Sequence, residues 1–255
     1  LLTSAIVLLP GGRLADIIGR RFIYLTGNLL FALGSLGCGL AADAHWLFAA
    51  RAMQGVGGAL TMSTGMAILT SVYPPEERGS AIGWTVAAVY IGLSAGPTLG
   101  GVITEHIGWR AIFLLNVPVS LLIFFAAIIA FKEKWADARG QRFDLKGSFV
   151  YGLGLVMFMM SPSRLPSVAG WTLFISGSIV LAFFVYLQSR SKYPVVDIRL
   201  FTRNRVFAFS GLAALINYAS TFAVGFLLSL YLQHLQGYSP KNAGLILVSQ
   251  PLAQA

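Results

Sequence analysis

The sequence predicts an all-α protein that crosses a membrane several times, and three observations lead to this fold class. Of its 255 residues, 56% are hydrophobic and 11% are charged, whereas a soluble domain carries about 25% charged residues. Nine apolar segments follow one another along the chain. Short basic clusters separate these segments and favour every second connection. Apolar helices joined by connections of alternating charge are typical of a multi-pass membrane protein.

Most of the complete apolar segments are long enough to span a bilayer, which requires about 20 residues in a helix. In chain order the segments cover residues 1–12, 22–42, 46–72, 80–104, 110–131, 147–161, 168–188, 206–235 and 242–255. The first and the last are partial, so we expect the chain to be a fragment of a longer membrane protein. The segment 147–161 is short, and Pro162 and Pro166 after it predict an irregular outer end.

The basic residues predict the orientation of the helices. Of the 18 lysines and arginines, 14 fall in one alternate set of connections, three fall in the other set, and Arg51 lies within a segment. The positive-inside rule places the larger set in the cytoplasm. Trp46, Trp109 and Trp171 begin segments on the opposite side, as residues of an interfacial aromatic belt do. This topology explains the net charge of +9, and we expect no nucleic-acid partner.

The two longest connections, residues 132–146 and 189–205, are both basic and both on the predicted cytoplasmic side. They flank two segments that have the character of a helix pair inserted between larger bundles. We therefore predict a first bundle, an inserted pair with its connections and the start of a second bundle, at residues 1–131, 132–205 and 206–255. In the second connection apolar residues alternate with charges, which predicts a segment lying on an anionic membrane surface.

The first connection, GGRLADIIGRR at residues 11–21, combines two adjacent glycines with three arginines and one acid. We expect it to form a tight cytoplasmic turn. Asp16 lies between Arg13 and Arg20, which predicts an ion-pair cluster that breaks and reforms when the helices move. By charge alone, a plain positive-inside loop explains the same residues.

Arg51 is the single charge within an apolar segment. A charge there costs about 2.5 kcal/mol or more on insertion scales, so it must face a polar cavity or a partner. Gln54, three residues on, shares its helix face. Because Trp46 lies only five residues earlier, an arginine that extends to the outer headgroups is an alternative explanation of this position.

A stripe of small residues runs through AVYIGLSAGPTLGGVIT, residues 88–104. Every fourth position is small, namely at Ala88, Gly92, Gly96, Gly100 and Thr104. Positions four apart share nearly one face of a helix, so the stripe predicts close approach of a neighbouring helix. Pro97 predicts a bend in the same helix. A soluble helix rarely accepts such residues, since each interior glycine costs about 1 kcal/mol relative to alanine.

The first of these stretches resembles the signature loop of the major facilitator superfamily, G-x-L-A-D-x-x-G-R-[KR]. It is matched by Gly12, Leu14, Ala15, Asp16, Gly19, Arg20 and Arg21, with Arg13 at a variable position. In that family the loop is thought to latch one bundle and to control the switch between inward and outward states. The resemblance therefore implies a conformational latch formed by Gly12, Arg13, Asp16, Gly19, Arg20 and Arg21.

Two more stretches resemble motifs of the same family. RAMQGVGGA, residues 51–59, is similar to R-x-x-Q-G-x-G-x-A, in which the arginine is associated with proton coupling, and this implies such a role for Arg51 and Gln54. GLSAGPTLGG, residues 92–101, resembles the antiporter motif G-x-x-x-G-P-x-x-G-G of proton-driven exporters. That resemblance implies an antiporter hinge or seal at Gly92, Gly96, Pro97, Gly100 and Gly101.

GWRAIFLLNVP, residues 108–118, resembles a signature of the fourteen-helix drug/proton antiporters. The inserted pair and residues 194–207 are similar to the same subfamily. The resemblance implies a major facilitator fold of two helical bundles with an extra pair between them, here truncated at both ends and running from the second to the tenth helix. The first bundle would lack its first helix and part of its second. Asn116 and Asn217 are membrane amides that are candidates for substrate binding or for interhelical hydrogen bonds.

The resemblance implies a proton-coupled transporter that exports drugs or other amphipathic, apolar or cationic small molecules across the cytoplasmic membrane. Its partners would be substrate, protons and lipid, and no cofactor or metal is expected. The alternative is a proton-coupled importer of a small solute with the same fold, against which only the antiporter motif argues.

The sequence contains no catalytic triad, metal cluster or phosphate loop, and its histidines are isolated, so we predict that the protein is not an enzyme. It contains no charged ring or filter of a channel either.

Overall fold

The structure is a computed structural model that describes residues 1–132 and 135–249, without the side chains of Pro97, Pro240 and Lys241. The described part is helical throughout and contains no strand. Its α-helices in chain order are α1 (Leu2–Ile18), α2 (Arg20–Gly39), α3 (Ala44–Val72), α4 (Pro75–His106), α5 (Trp109–Ala130), α6 (Leu145–Met160), α7 (Val168–Arg190), α8 (Arg199–Arg203), α9 (Arg205–Leu230) and α10 (Pro240–Leu247). Each apolar segment of the sequence, as far as the structure describes it, thus contains one of these α-helices.

Six of the described helices are long and apolar enough to cross a membrane: α2, α3, α4, α5, α7, and α9 together with the π-helical turn Tyr231–Leu235 that follows it. The prediction of a multi-pass helical protein agrees with this count. Helix α6 has 16 residues and ends at a short 3-10 helix, Pro162–Arg164. The irregular end predicted after this segment is therefore present.

The first connection differs from its prediction, because the expected tight turn is mostly helical. Helix α1 continues through Gly11 and Gly12 to Ile18, and α2 begins two residues later. Gly19 alone makes the turn, with a φ of 127° that residues with a side chain rarely adopt. A Cβ added to Gly11 would come within 2.8 Å of Cδ2 of Leu60 in α3. The first two glycines therefore allow helices to pack closely and do not form a loop.

One compact unit consists of Leu1–Ser71 and Asn116–Leu200. Ala15, Ile23 and Leu60 form an apolar core between α1, α2 and α3. Glycines bring α2 and α3 into close contact elsewhere, because a Cβ on Gly34 would lie 2.5 Å from the backbone nitrogen of Gln54. This contact fixes the depth of α3 against α2, and with it the position of the polar residues described below.

The two helices predicted as an inserted pair, α6 and α7, lie in the same unit and pack against each other. Helix α6 also packs against α1, where the hydroxyl of Tyr151 donates to the carbonyl of Ala5 at 3.1 Å. The division into a first bundle, an inserted pair and a second bundle stays a prediction.

The other unit consists of Val72–Leu115 and the described residues from Phe201 onward. Within it, α10 packs against α4 and α9. Helix α4 is continuous through the small-residue stripe. The close packing predicted for that stripe is not found at its glycines: a Cβ added to Gly92, Gly96 or Gly100 would meet no atom within 4 Å in the described part of the chain. Within this unit the face of α4 that carries these glycines is open, so packing inside the unit does not require its small residues.

Candidate functional site

Arg20 is the centre of an ion-pair cluster at the turn between α1 and α2. Its Nη2 lies 2.8 Å from Oδ1 of Asp16 and 2.6 Å from Oδ2 of Asp137, and its Nη1 donates to Oγ of Ser71 at 2.8 Å. The Arg20 side chain is 13% exposed, against 33% for Asp16 and 70% for Asp137. The predicted pairing of Asp16 with Arg20 is therefore present. A second carboxylate shares the same guanidinium.

Arg13 and Arg21 have partners that the sequence does not predict. Nη2 of Arg13 donates to Oε1 of Gln141 at 2.5 Å, and Nη2 of Arg21 donates to the carbonyl of Ile128 at 3.1 Å. Ile128 lies in the last turn of α5, and Gln141 lies in the connection that follows. The three arginines of the predicted latch thus contact α1, α3, α5 and the connection after α5, all within the same unit.

A cavity of about 730 Å³ opens beside these residues. Gly12, Arg13 and Asp16 of α1 line one side of it, and Lys192 and Asp197, from the connection after α7, line another. Its charged groups are two basic and two acidic side chains, so it has no preference for one sign of charge. The connection predicted to lie on an anionic membrane surface contributes an acidic as well as a basic side chain to this cavity.

Arg51 lies about two turns into α3 and is held by a neutral amide. Its Nη1 donates to Oε1 of Gln54 at 2.6 Å, and Nε2 of Gln54 donates to Oγ of Ser35 in α2 at 2.8 Å. Gln54 is 5% exposed and Ser35 is fully buried. The guanidinium is therefore bound to a residue one turn deeper in the helix, towards the side predicted to be cytoplasmic, and the chain of hydrogen bonds continues into α2.

The carboxylates nearest to the predicted outer side lie at helix ends. Asp43 immediately precedes α3, and its Oδ1 accepts a hydrogen bond from the backbone nitrogen of Trp46 at 2.7 Å. Glu105 lies in the last turn of α4 and is exposed. Within the described residues no group of three or more His, Cys, Asp or Glu side chains has an arrangement suited to a metal ion.

The predicted antiporter hinge lies in α4, in the other unit. Gly100, Gly101 and Thr104 line a cavity of about 310 Å³ together with Ser229 and Gln233. Nε2 of Gln233 donates to Oγ of Ser229 at 2.9 Å, across the start of the π-helical turn. Gly92 and Gly96 lie earlier in α4, about two turns and one turn before Gly100. Pro97 is part of the same helix, and its side chain is outside the described residues.

Asn116 and Asn217 belong to different units. Asn116 is half-buried in α5, and Asn217 is exposed in α9. Their assignment to substrate binding or to interhelical contacts stays a prediction.

Several polar residues of the site do not stand out in the sequence. Ser35 lies among glycines of α2 that are typical of helix packing. The sequence connects it to the site only through Gln54, the third residue after Arg51. Asp137 and Gln141 lie in a connection in which five basic residues outnumber three acids. Because Glu133 and Asp144 are acids in the same connection, the sequence does not single out Asp137 as a partner for an arginine.

Comparison with known proteins decides the family. A family model described as the Major Facilitator Superfamily matches residues 1–254. The chain belongs to the major facilitator superfamily. This confirms the family predicted from the motifs and, with the helices described above, the all-α multi-pass fold class.

Curated relatives extend this assignment. The chain is 33% identical over 254 residues to the multidrug resistance protein Stp of Mycobacterium tuberculosis, covering 97% of this chain and 47% of the relative. It is 32% identical over 244 residues to the riboflavin transporter RibZ of Clostridioides difficile, covering 94% and 52%. It is 30% identical over 243 residues to multidrug resistance protein 3 of Bacillus subtilis, covering 92% and 47%. The chain thus spans about half the length of the curated relatives it matches, and these relatives indicate a transporter and not an enzyme.

Proposed function

We propose that the protein is a proton-coupled secondary transporter that exports drugs or other amphipathic, apolar or cationic small molecules across the cytoplasmic membrane. Membership of the superfamily and two relatives named as multidrug resistance proteins support export of such compounds. Transport proceeds by alternating access, in which two helical bundles rock around a site near the bilayer midplane. The proton gradient supplies the energy, and no cofactor takes part.

The observation that carries the proposal is the bond from Arg51 to Gln54. A guanidinium keeps its charge under all physiological conditions, so Arg51 does not itself carry the proton. A carboxyl group that approaches Arg51 is attracted while it is ionised and released once it is protonated. The amide of Gln54, which is itself uncharged, positions Arg51 for this exchange. Arg51 acts in this way as the sensor of protonation.

The ion pairs of Arg20 act as the conformational latch. Charge-assisted hydrogen bonds are stronger than neutral ones, yet a partly exposed ion pair contributes only about 0–1 kcal/mol. Arg20 has one partner at 33% and one at 70% exposure, so its bonds break and reform at small cost. This property suits a latch that opens once in every transport cycle.

The open face of α4 supplies the hinge or seal. A glycine that touches no neighbour in one state leaves room for a helix to approach in another state. Gly92, Gly96 and Gly100 lie on this face, and each has free space where a Cβ would stand. The motif is therefore used when the outer mouth closes, in a state other than the one described here.

Import of a small solute by the same fold is the second candidate. A relative named as a riboflavin transporter matches this chain about as well as the resistance proteins do, which supports riboflavin as a solute to test and leaves the direction of transport to the experiment. An importer coupled to protons takes up its solute faster when the outside is acidic. Uptake of radiolabelled riboflavin by intact cells at an outside pH of about 5.5 and of about 7.5 separates the two candidates.

Efflux from intact cells tests the proposed function. Cells that express the full-length protein are loaded with a panel of cationic and neutral fluorescent dyes, and the efflux rates are compared for the parent, Arg51→Lys and Arg51→Gln. We expect the parent to export at least one dye, Arg51→Gln to export none, and Arg51→Lys to retain part of the activity because it keeps the charge but loses the planar fork of donors. Equal efflux by all three proteins would remove Arg51 from the mechanism.

A further inference from the structure

The connection after α5 lies across the turn between α1 and α2. We call its residues 135–141 the cytoplasmic strap. The backbone nitrogen of Arg20 donates to the carbonyl of Trp135 at 3.1 Å, and the backbone nitrogen of Ala138 donates to the carbonyl of Asp16 at 2.9 Å. These two bonds lie on either side of Gly19, the single turn residue. The strap therefore holds the end of one helix and the start of the next.

Two side-chain bonds reinforce the same arrangement. Arg20 donates to the carboxylate of Asp137 at 2.6 Å, and Arg13 donates to the amide of Gln141 at 2.5 Å. Ala138, between these attachments, is 5% exposed. The middle of the strap is therefore packed against the turn, although the strap lies in a connection between two helices.

Aromatic side chains hold the beginning of the strap. Phe131 packs edge to face against Tyr24 of α2, with 5.5 Å between ring centroids, and against Trp135 with 5.8 Å. Edge-to-face pairs contribute about 0.5–1.5 kcal/mol beyond the area they bury. Trp135 has a φ of 36°, which turns the chain from the end of α5 towards Arg20. Because these aromatic contacts fix the beginning of the strap, the bonds of Asp137 and Gln141 are the part of the strap that can be released from the turn.

We propose that Asp137 is a positioning residue of the latch, which docks the cytoplasmic strap on the α1–α2 turn and thereby fixes the orientation of the Arg20 guanidinium that also binds Asp16. This inference rests on the proposed function, because it adds a residue to the latch. The strap also leads directly into α6, since Asp144 caps that helix by accepting from the backbone nitrogen of Gly147 at 2.8 Å. The connection thereby couples the position of the helix pair α6 and α7 to that of the α1–α2 turn.

The exposed fractions of the Asp137 and Arg20 side chains are those expected of a contact that can break. Asp137 is 70% exposed while Arg20 is 13% exposed, so water competes for the carboxylate but hardly for the guanidinium. When Asp137 leaves, Arg20 retains Asp16 and Ser71 as partners. Strap release thus changes the geometry of the latch without leaving a buried charge unpaired.

Cysteine labelling in inside-out membrane vesicles tests the docking directly. The full-length protein carries Ala138→Cys, and the rate of its reaction with a membrane-impermeant maleimide is measured. Cys38 is buried and gives a slow background, which is recorded with the parent protein. We expect Asp137→Asn to raise the labelling rate about two- to fivefold, the size of effect that exposed ion pairs give, and Asp137→Glu to restore the parent rate.

Arg139→Gln is the matched control, because Arg139 is an exposed charge two residues further along the same strap. An unchanged labelling rate in Asp137→Asn, or an equal increase in Arg139→Gln, overturns the inference. Labelling requires no transport, so this result is independent of whether the proposed export exists.

The kinetics of dye efflux provide the second readout. Asp137 touches no substrate in a latch role, so Asp137→Asn is expected to change the maximum rate by about two- to fivefold and to leave KM unchanged, with recovery in Asp137→Glu. A change in KM alone overturns the role as a positioning residue. If the parent protein exports no dye while the labelling rates change as expected, the proposed function is contradicted and the docking role of Asp137 is supported.

Discussion

Arg51 donates a 2.6 Å hydrogen bond to Oε1 of Gln54, whose other amide atom donates to Ser35 at 2.8 Å. A permanent charge within a membrane-capable helix is thus connected, through one buried amide, to the neighbouring helix. The arrangement keeps the charge in place and leaves it unneutralised by this partner. In our account this is the element that lets the protein respond to protonation.

Gln54→Leu is expected to reduce transport strongly. Leucine has nearly the volume of glutamine but no polar atom, so Ser35 loses its partner and Arg51 loses the bond that positions it. A buried polar group left unpaired costs about 1–3 kcal/mol, and we expect the maximum efflux rate to fall about tenfold or more. Ser35→Ala removes only the last bond of the chain and should have a smaller effect. Transport by Gln54→Leu at the parent rate would show that the chain of bonds has no role.

Gly34→Ala and Gly92→Ala are expected to change stability in opposite directions. A Cβ on Gly34 would lie 2.5 Å from the backbone of Gln54, whereas a Cβ on Gly92 meets nothing within 4 Å. Overpacking costs about 1–3 kcal/mol, while replacing an unhindered helical glycine with alanine gains up to about 1 kcal/mol. Unfolding temperatures in detergent, followed by tryptophan fluorescence, should be lower for the first variant and equal or higher for the second. A loss of stability in both would contradict the open face of α4.

Gly96→Leu is expected to abolish transport while membrane insertion and thermal stability are retained. Its position has free space in the state described, so the larger side chain fits here but blocks the approach of a helix when the outer mouth closes. Gly83→Leu is the matched control, since Gly83 lies in the same helix with equally free space and outside the motif. Equal activity of the two variants would remove the hinge role from Gly96.

Gln188→Leu is expected to release the connection after α7. Gln188 is 2% exposed; it donates to Oδ2 of Asp144 at 2.8 Å and accepts from the backbone nitrogen of Val195 at 2.6 Å. Its loss leaves the backbone nitrogen of Val195 unpaired, at about 1–3 kcal/mol, and removes one bond of Asp144, which keeps its bond to Gly147. Trypsin should therefore cleave at the exposed Lys192 several times faster in inside-out vesicles. Ser189→Ala, which changes only a bond within the helix, should cleave at the parent rate. No difference between the two variants would show that Gln188 does not hold this connection in place.

The sequence predicts the helices well because each is a long apolar run. The bounds expected for α5, residues 110–131, differ by one residue from Trp109–Ala130. It predicts local pairs equally well, such as Asp16 with Arg20, which are separated by one helical turn. It fails where a residue type has two uses: Gly11 and Gly12 were expected in a turn, yet they allow α1 to pack against α3.

Contacts between distant residues are the part that periodicity does not reveal. Arg20 and Asp137 are 117 positions apart, and nothing in the spacing of either residue indicates the other. The same holds for Arg13 with Gln141 and for Asp144 with Gln188. Such pairs depend on how the connections fold over the helix ends, and connections carry neither a helical nor an alternating pattern.

The most direct test of proton-coupled export uses inside-out vesicles that contain the full-length protein, with the lumen acidified and both lumenal pH and dye followed over time. We predict that dye accumulates in the lumen while lumenal protons leave, and that Arg51→Gln shows neither. A protonophore, which lets the lumenal protons leave without exchange, should abolish the accumulation of dye. Dye accumulation that is unaffected by the protonophore, or dye that leaves the lumen together with protons, would contradict the account.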